Sequence, residues 1–431
     1  MEESQGVPQS KLFQTSVEQA VVFFIHCFRV PESAAQIAEN LSAVGYEAPD
    51  RINPKPPKEI YFEKEVYRLF SAGIFTPTQP LKAKTVEHEL VVEVTPVIYV
   101  LSAQVLLIAI RIEFATKGGS RLDQVMRFVE AFRVCKLRQF HGLQEKPRLL
   151  TVELTEESRR LEFDDRNQVT WGFDLVTRAF KLATGREPTD DDIVFGNFAK
   201  LFVSLFYNVG SELTPEDRFH IINIDRPANP ENPHDWKDPL PAKELVSQCL
   251  LENTYPRWEE QKQSFAFMPF AFTMFLEPFD DDRPAVDKFA RDFEFRYHVI
   301  YIVLLTELTF LQDINSRLAR LEVKKLSSKD LANEVASLRR ELLKFSNSIW
   351  SSRISYEIQP SELFDLGKRV LGLEKLYSEV HDKLSEYDQY LQAKTQERLN
   401  SGLWLLQYLF LPFSLAAFLV NFVLCLLSEI I

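Results

Sequence analysis

Apolar positions change their rhythm along the chain, first short and strand-like, then long and helical. Gln19–Val30 (QAVVFFIHCFRV) is apolar on both parities and reads as a buried strand. Pro31–Val44 (PESAAQIAENLSAV) then reads as a helix opened by Pro and closed at Gly45. Two β-rich runs, Glu87–Val94 and Val97–Phe114, flank Thr95-Pro96, which predicts a bulge or turn. Arg121–Phe132 predicts a helix and Arg148–Leu154 a strand. Helices are expected at Trp171–Ala183, Asp191–Tyr207 and Ala242–Glu252, with a strand at Phe219–Asp225. The phenylalanine-rich run Phe265–Phe279 predicts one buried strand. Tyr46–Pro57 and the proline-rich Arg226–Pro241 predict surface loops. This mixture predicts an α+β (α/β) domain over residues 1–283.

After Pro284 the pattern becomes that of long helices with few breakers, Pro284–Val323 and Ser328–Ser351, forming a helical layer over residues 284–360. A third helix is expected from an N-cap at Ser361, as a stalk over residues 361–402. Its apolar seam runs Leu363, Leu366, Val370, Leu373, Tyr377, Val380, Leu384, Tyr387, Leu391. Spacings of three and four residues suit a seam packed either inside one chain or between copies. The expected stalk is roughly 60 Å long at about 1.5 Å per residue.

The stalk is expected to run unbroken into residues 403–428. Leu403–Leu427 contains no charged residue, which is long enough for a bilayer core of about 30 Å. Trp404 and Tyr408 suit the near interface, and Lys394 and Arg398 flank the segment, placing the N-terminal region in the cytoplasm. The cell inner membrane is the expected location. Asn400, Gln407, Ser414, Asn421 and Ser428 recur every seven residues as one polar stripe. In hydrocarbon such a stripe needs a partner helix or water, so it predicts a pore lining or interhelical hydrogen bonding in a homo-oligomer. The same phase continues through Ala393, Glu386, Glu379, Gly372 and Asp365. Asp365, Glu379 and Glu386 are therefore candidates for acidic rings about an axis that attract cations.

Composition narrows the remaining choices. A net charge of −12, with no strongly basic window, argues against a nucleic-acid partner. The four cysteines, Cys27, Cys135, Cys249 and Cys425, are dispersed, as in a reducing compartment. The N-terminus, with Glu2 and Glu3, lacks the pattern of a signal peptide. The triplets Asp190–Asp192 and Asp280–Asp282 read as helix N-terminal capping in preference to metal ligation. No H-E-x-x-H, G-x-S-x-G or paired-cysteine signature occurs, and the seven histidines are widely separated. Neither a catalytic residue nor a metal site is expected, and His298 reads as a core or interface residue.

The order of elements, an α/β domain, a pair of long helices and a stalk entering the membrane, resembles the CorA family of divalent-cation channels over most of the chain. Phe410-Leu411-Pro412-Phe413-Ser414-Leu415 is similar to the apolar-Leu-Pro entry of that family's first membrane helix. The resemblance implies a funnel-shaped pentamer with its pore on this helix. It departs after Asn421, where the family carries Gly-Met-Asn and this chain reads Phe422-Val423-Leu424-Cys425, without a second spanning helix or basic tail. The resemblance extends to divergent CorA-like membrane effectors of type III CRISPR antiviral defence, implying a divalent cation or a nucleotide second messenger as ligand. No G-x-x-x-x-G-K-[ST] occurs, and only Gly118-Gly119 is glycine-rich. The expected function is an oligomeric channel or effector in the membrane, gated by a cytoplasmic domain that senses a small ligand or ion. The alternative is a C-terminally anchored scaffold without transport activity.

Overall fold

The computed structural model describes residues 15–47, 66, 69–70, 73–77, 80–85, 90–101, 104–114, 120–133, 152–154, 173–195, 199–208, 213–225, 242–257, 263–276, 293–323, 328–350 and 353–428. Arg226–Pro241, Asp280–Asp282, Gly118-Gly119 and the expected helix start at Pro284 fall outside these, apart from Pro284's helix from Phe293 onward. The chain divides into two compact units. One comprises the chain to Asp313 with Lys344–Leu376, and the other Ile314–Leu343 with Tyr377 onward.

Among the described residues, the first unit is built on a mixed eleven-stranded sheet. Its strands are β1 (Ser16–Arg29), β2 (Tyr46–Glu47), β3 (Ile74–Pro77), β4 (Leu81–Thr85), β5 (Val91–Leu101), β6 (Val105–Phe114), β7 (Val152–Leu154), β8 (Lys200–Asn208), β9 (Thr254–Tyr255), β10 (Gln263–Met268) and β11 (Ala271–Leu276). The order is β2-β3-β5-β6-β1-β8-β11-β10-β9, with β4 on β5 and β7 on β4. All pairings are antiparallel except β8 with β11.

Helices of this unit are α1 (Ala34–Ala43), α2 (Leu122–Arg133), α3 (Phe173–Thr184), α4 (Pro215–Asn223) and α5 (Lys243–Asn253). The long helices follow as α6 (His298–Val323), α7 (Ser328–Ser348), α8 (Ile358–Leu371) and α9 (Leu373–Ser428). Strand side chains alternate between faces, so β1 serves two cores. Ala20, Val22, Phe24 and Phe28 join the core with Leu41 of α1, Phe128 of α2 and Phe180 of α3. Phe23, Cys27 and Arg29 point to the other face, where they meet His298, Thr309 and Phe310 of α6. A sheet covered on both faces has strands apolar on both parities, which is why β1 reads as an uninterrupted apolar run.

That coverage explains the misread elements. Lys200–Asn208 is a central strand, although the sequence predicts a helix over Asp191–Tyr207. Leu201, Val203 and Leu205 pack to one core and Phe202 and Phe206 to the other, erasing the period-two signal. Phe219–Asp225, expected as a strand, lies mostly in α4. The missed signal is Thr214-Pro215-Glu216-Asp217, a capping box with Pro in the first turn. Thr95-Pro96 is no turn but lies inside β5. The ladder on one side of β5 passes from β4 at Val94 to β3 at Ile98, so the missing Pro96 amide falls in a gap. The reversal instead occurs beside Gln104, whose φ is 57°. Phe265–Phe279 contains a hairpin, with Pro269 and Phe270 turning between β10 and β11. Helix α1 opens at Ala34 behind the N-cap Ser33, three residues after the Pro31 expected to open it. Asp192 caps no long helix: it receives Arg186 in a bidentate pair at 2.7 and 2.8 Å and the Thr189 hydroxyl at 2.6 Å.

The stalk departs from expectation at two points. Its helix starts at Ile358 with Glu357 as N-cap, and Ser361 instead donates its hydroxyl to the Glu357 carbonyl. It ends at Gly372, whose φ of +65° closes α8 before α9 begins. Leu363, Leu366, Leu373, Val380 and Leu384 of the seam are nevertheless buried within the single chain. In the second unit α9 is tied to α6 by Lys383 donating to Asn315 at 2.9 Å and to α7 by an Arg339–Asp388 ion pair. Helix α6 is apolar enough to cross a membrane, yet 78 % of that stretch is buried in protein, so it serves as a core helix.

Candidate functional site

The polar stripe lies on α9. Successive members are separated by seven residues, about 20° short of two full turns, so they form one slowly drifting line. The side chains of Asn400, Gln407, Ser414 and Asn421 are exposed, and Ser428 is the last helical residue. Gln396 donates to Asn400 at 3.3 Å, and the Ser414 hydroxyl donates to the Leu411 carbonyl at 2.9 Å. Around the stripe, the large apolar side chains from Leu403 to Val420 are 49–72 % exposed. Trp404 and Tyr408 stack with ring centres 5.2 Å apart. The segment is long and apolar enough to cross a membrane, and none of its apolar window is buried in protein.

Glu379 and Glu386 are exposed on α9. Asp365 is exposed too but belongs to α8, because the expected seven-residue phase passes through Gly372, where the helix is interrupted. The structure therefore joins the five stripe residues with Glu379 and Glu386 on one helix, and separates Asp365 from them. No group of three or more His, Cys, Asp or Glu side chains able to hold a metal ion occurs among the described residues.

Asp365 instead lines a groove of ≈ 1080 Å³ that the sequence reading missed. One wall is the edge strand β9 and the turn after it. Tyr255 hydrogen-bonds Glu362, and Arg257 holds the same carboxylate at 2.6 and 3.0 Å. Burial, then the Glu362 hydrogen bond, pushes the Tyr255 hydroxyl up to about 12, so it stays a donor. The guanidinium of Arg257 beside it holds the Glu362 carboxyl below its ordinary range. Asp365 is held above its ordinary range, first by burial and then by Glu374 and Glu362, against the opposing pull of Lys368. Lys368 is largely buried, with its ammonium 4.1 Å from the Trp350 ring centre and 3.9 Å from Glu307. Residues so far apart in sequence give no local pattern, and only Gly372 hints at the joint.

A second cluster lies under the sheet, at the five-residue π-helical turn Phe293–Tyr297 that precedes α6. His298 Nε2 meets the Tyr99 hydroxyl at 2.8 Å, and the Phe23 ring and the imidazole cross at 70° with ring centres 4.3 Å apart. Arg111 pairs with Glu294 at 3.3 Å and Glu113 at 2.8 Å. Burial lowers His298 to about 3 and raises Glu294. The imidazole is thus neutral and placed in the core, as its apolar sequence context predicts. Its rings and paired charges fix the start of α6 on the sheet.

Comparisons with protein families, curated proteins and solved structures found no match to this chain.

Proposed function

We propose that the chain is the subunit of a homo-oligomeric membrane channel, in which the polar stripe of α9 faces a shared water-filled axis and the sheet-based unit senses a small ligand or ion on the cytoplasmic side. One observation carries this reading: the stretch 403–421 of α9 exposes apolar side chains all round, and its polar residues Gln407, Ser414 and Asn421 form a single line. Lipid accommodates the apolar faces, while Gln407, Ser414 and Asn421 need water or a second helix. From Gln407 to Ser428 the stripe covers roughly 31 Å, the thickness of a bilayer core. Glu379 and Glu386 extend this face outside the membrane and favour cations. The order of elements supports a CorA-like assembly of about five copies and, with it, the antiviral-effector branch.

Purified full-length chain in liposomes should conduct ions, and replacing both Gln407 and Asn421 with Leu should abolish the current. Unchanged conductance in that variant would sink the pore reading. A second reading, a membrane-anchored scaffold, is favoured by the seam of α8 and α9 being buried inside one chain. The mass of the detergent-solubilised particle separates the two: a monomer selects the scaffold, a ring of copies the channel.

A further inference from the structure

The groove beside Gly372 holds two opposite charges that ought to neutralise each other. Asp365 and Arg369 stand four residues apart on α8, the spacing at which side chains of an acid and a base meet on a helix, about 5–6 Å apart at Cβ. They do not pair. The Arg369 guanidinium instead donates to the Glu252 carbonyl at 2.9 Å, and Asp365 makes no ion pair among the described residues. Lys375, one turn beyond Gly372, adds a second cation to the groove. Arg257 and Glu362, by contrast, are spent on each other.

We infer that this groove binds a free α-amino acid with an apolar side chain, its ammonium seated on Asp365 and its carboxylate on Arg369 and Lys375. An amino acid carries both charges two bonds apart on one carbon, matching an acid and a base one helical turn apart. A phosphate would leave Asp365 repelled, and a simple amine would leave Arg369 and Lys375 without an anion. Asp365 is held above the ordinary carboxyl range by partial desolvation and by Glu374 and Glu362, against the pull of Lys368, and a ligand ammonium would add a second cation that favours its charged form. Leu251, Pro256 and Leu366 give the groove its apolar wall, and Leu251 is 83 % exposed, so a side chain seated there covers it. At Gly372 a Cβ would meet nothing within 4 Å, leaving room beside the backbone where α8 passes to α9. The inference names the ligand of the sensing unit and rests on the proposed function for its purpose, though not for the binding itself.

The test is thermal denaturation of the full chain in detergent with leucine, isoleucine, valine, methionine or phenylalanine, and separately with inorganic phosphate and with putrescine. At least one of the five amino acids should raise the midpoint saturably, while phosphate and putrescine should not. Asp365→Asn and Lys375→Gln should each raise the half-saturating concentration about tenfold or more, the loss of one charge-assisted hydrogen bond. No response to any of the five overturns the inference, as does an equal response to phosphate or putrescine alone, or a response that both variants leave unchanged. Should Asp365→Asn fail to fold, Arg369→Gln combined with Lys375→Gln makes the same measurement at the exposed cationic end. Binding without conductance in liposomes would leave this site standing and remove the channel.

Discussion

At the scale of single residues, buried titratable groups make stability depend on pH. His26 and His298 are lowered by burial to about 4 and about 3 from the ordinary histidine value of 6.5. Between those values the unfolded chain binds protons that the folded chain refuses, so stability is full above pH 6.5 and falls as pH drops. The expected slope is about 1.4 kcal/mol per pH unit for each histidine between pH 6.5 and 4. Glu294, raised by burial, acts in the opposite sense and loses stability as pH rises through its folded value. Chemical denaturation of wild type and His298→Gln from pH 7.5 to 4 checks this, the variant giving the shallower slope. Gly367 is a second decisive residue. A Cβ there would lie 2.4 Å from Leu304 and 3.0 Å from Phe267, and all three positions are buried where α8 meets the core. Gly367→Ala should therefore destabilise by ~1–3 kcal/mol, the cost of overpacking, in the same measurement.

Among elements, the joint between α8 and α9 behaves differently from its neighbours. Gly372 has φ +65° and an open surrounding, so a substitution there meets backbone strain without a clash. Gly372→Ala should cost about 1 kcal/mol, and Gly372→Asn less, because Asn tolerates the left-handed region. Equal costs for the two in thermal unfolding would show that something other than φ governs the position. The seam residues flanking the joint were legible from their spacing, and their burial follows that reading. The break itself was not, since Gly372 sits in a helical pattern on both sides and its handedness depends on the preceding helix being anchored against the sheet.

At the scale of the whole molecule, the exposed apolar segment of α9 dominates solution behaviour. Thirteen large apolar side chains between Leu403 and Val420 are exposed, far more than a soluble surface carries in one stretch. Full-length chain should remain in the membrane pellet after alkaline carbonate extraction. Replacing both Leu411 and Phe418 with Lys, each costing about 2.5–3.5 kcal/mol near the bilayer centre, should move it to the supernatant.

The long apolar segment of α9, its polar stripe, the long helices and the mixed character of the first domain were determined by the sequence alone, because each rests on a local run or period. Tertiary structure decided the rest. Burial of both sheet faces made β8 a strand and hid its alternation, since neither face needed polar residues. Contacts spanning about a hundred residues brought Tyr255 and Arg257 to Glu362 and left Asp365 beside them in a groove. No period encodes such a meeting, because it depends on where the edge strand and α8 come to rest against the same sheet.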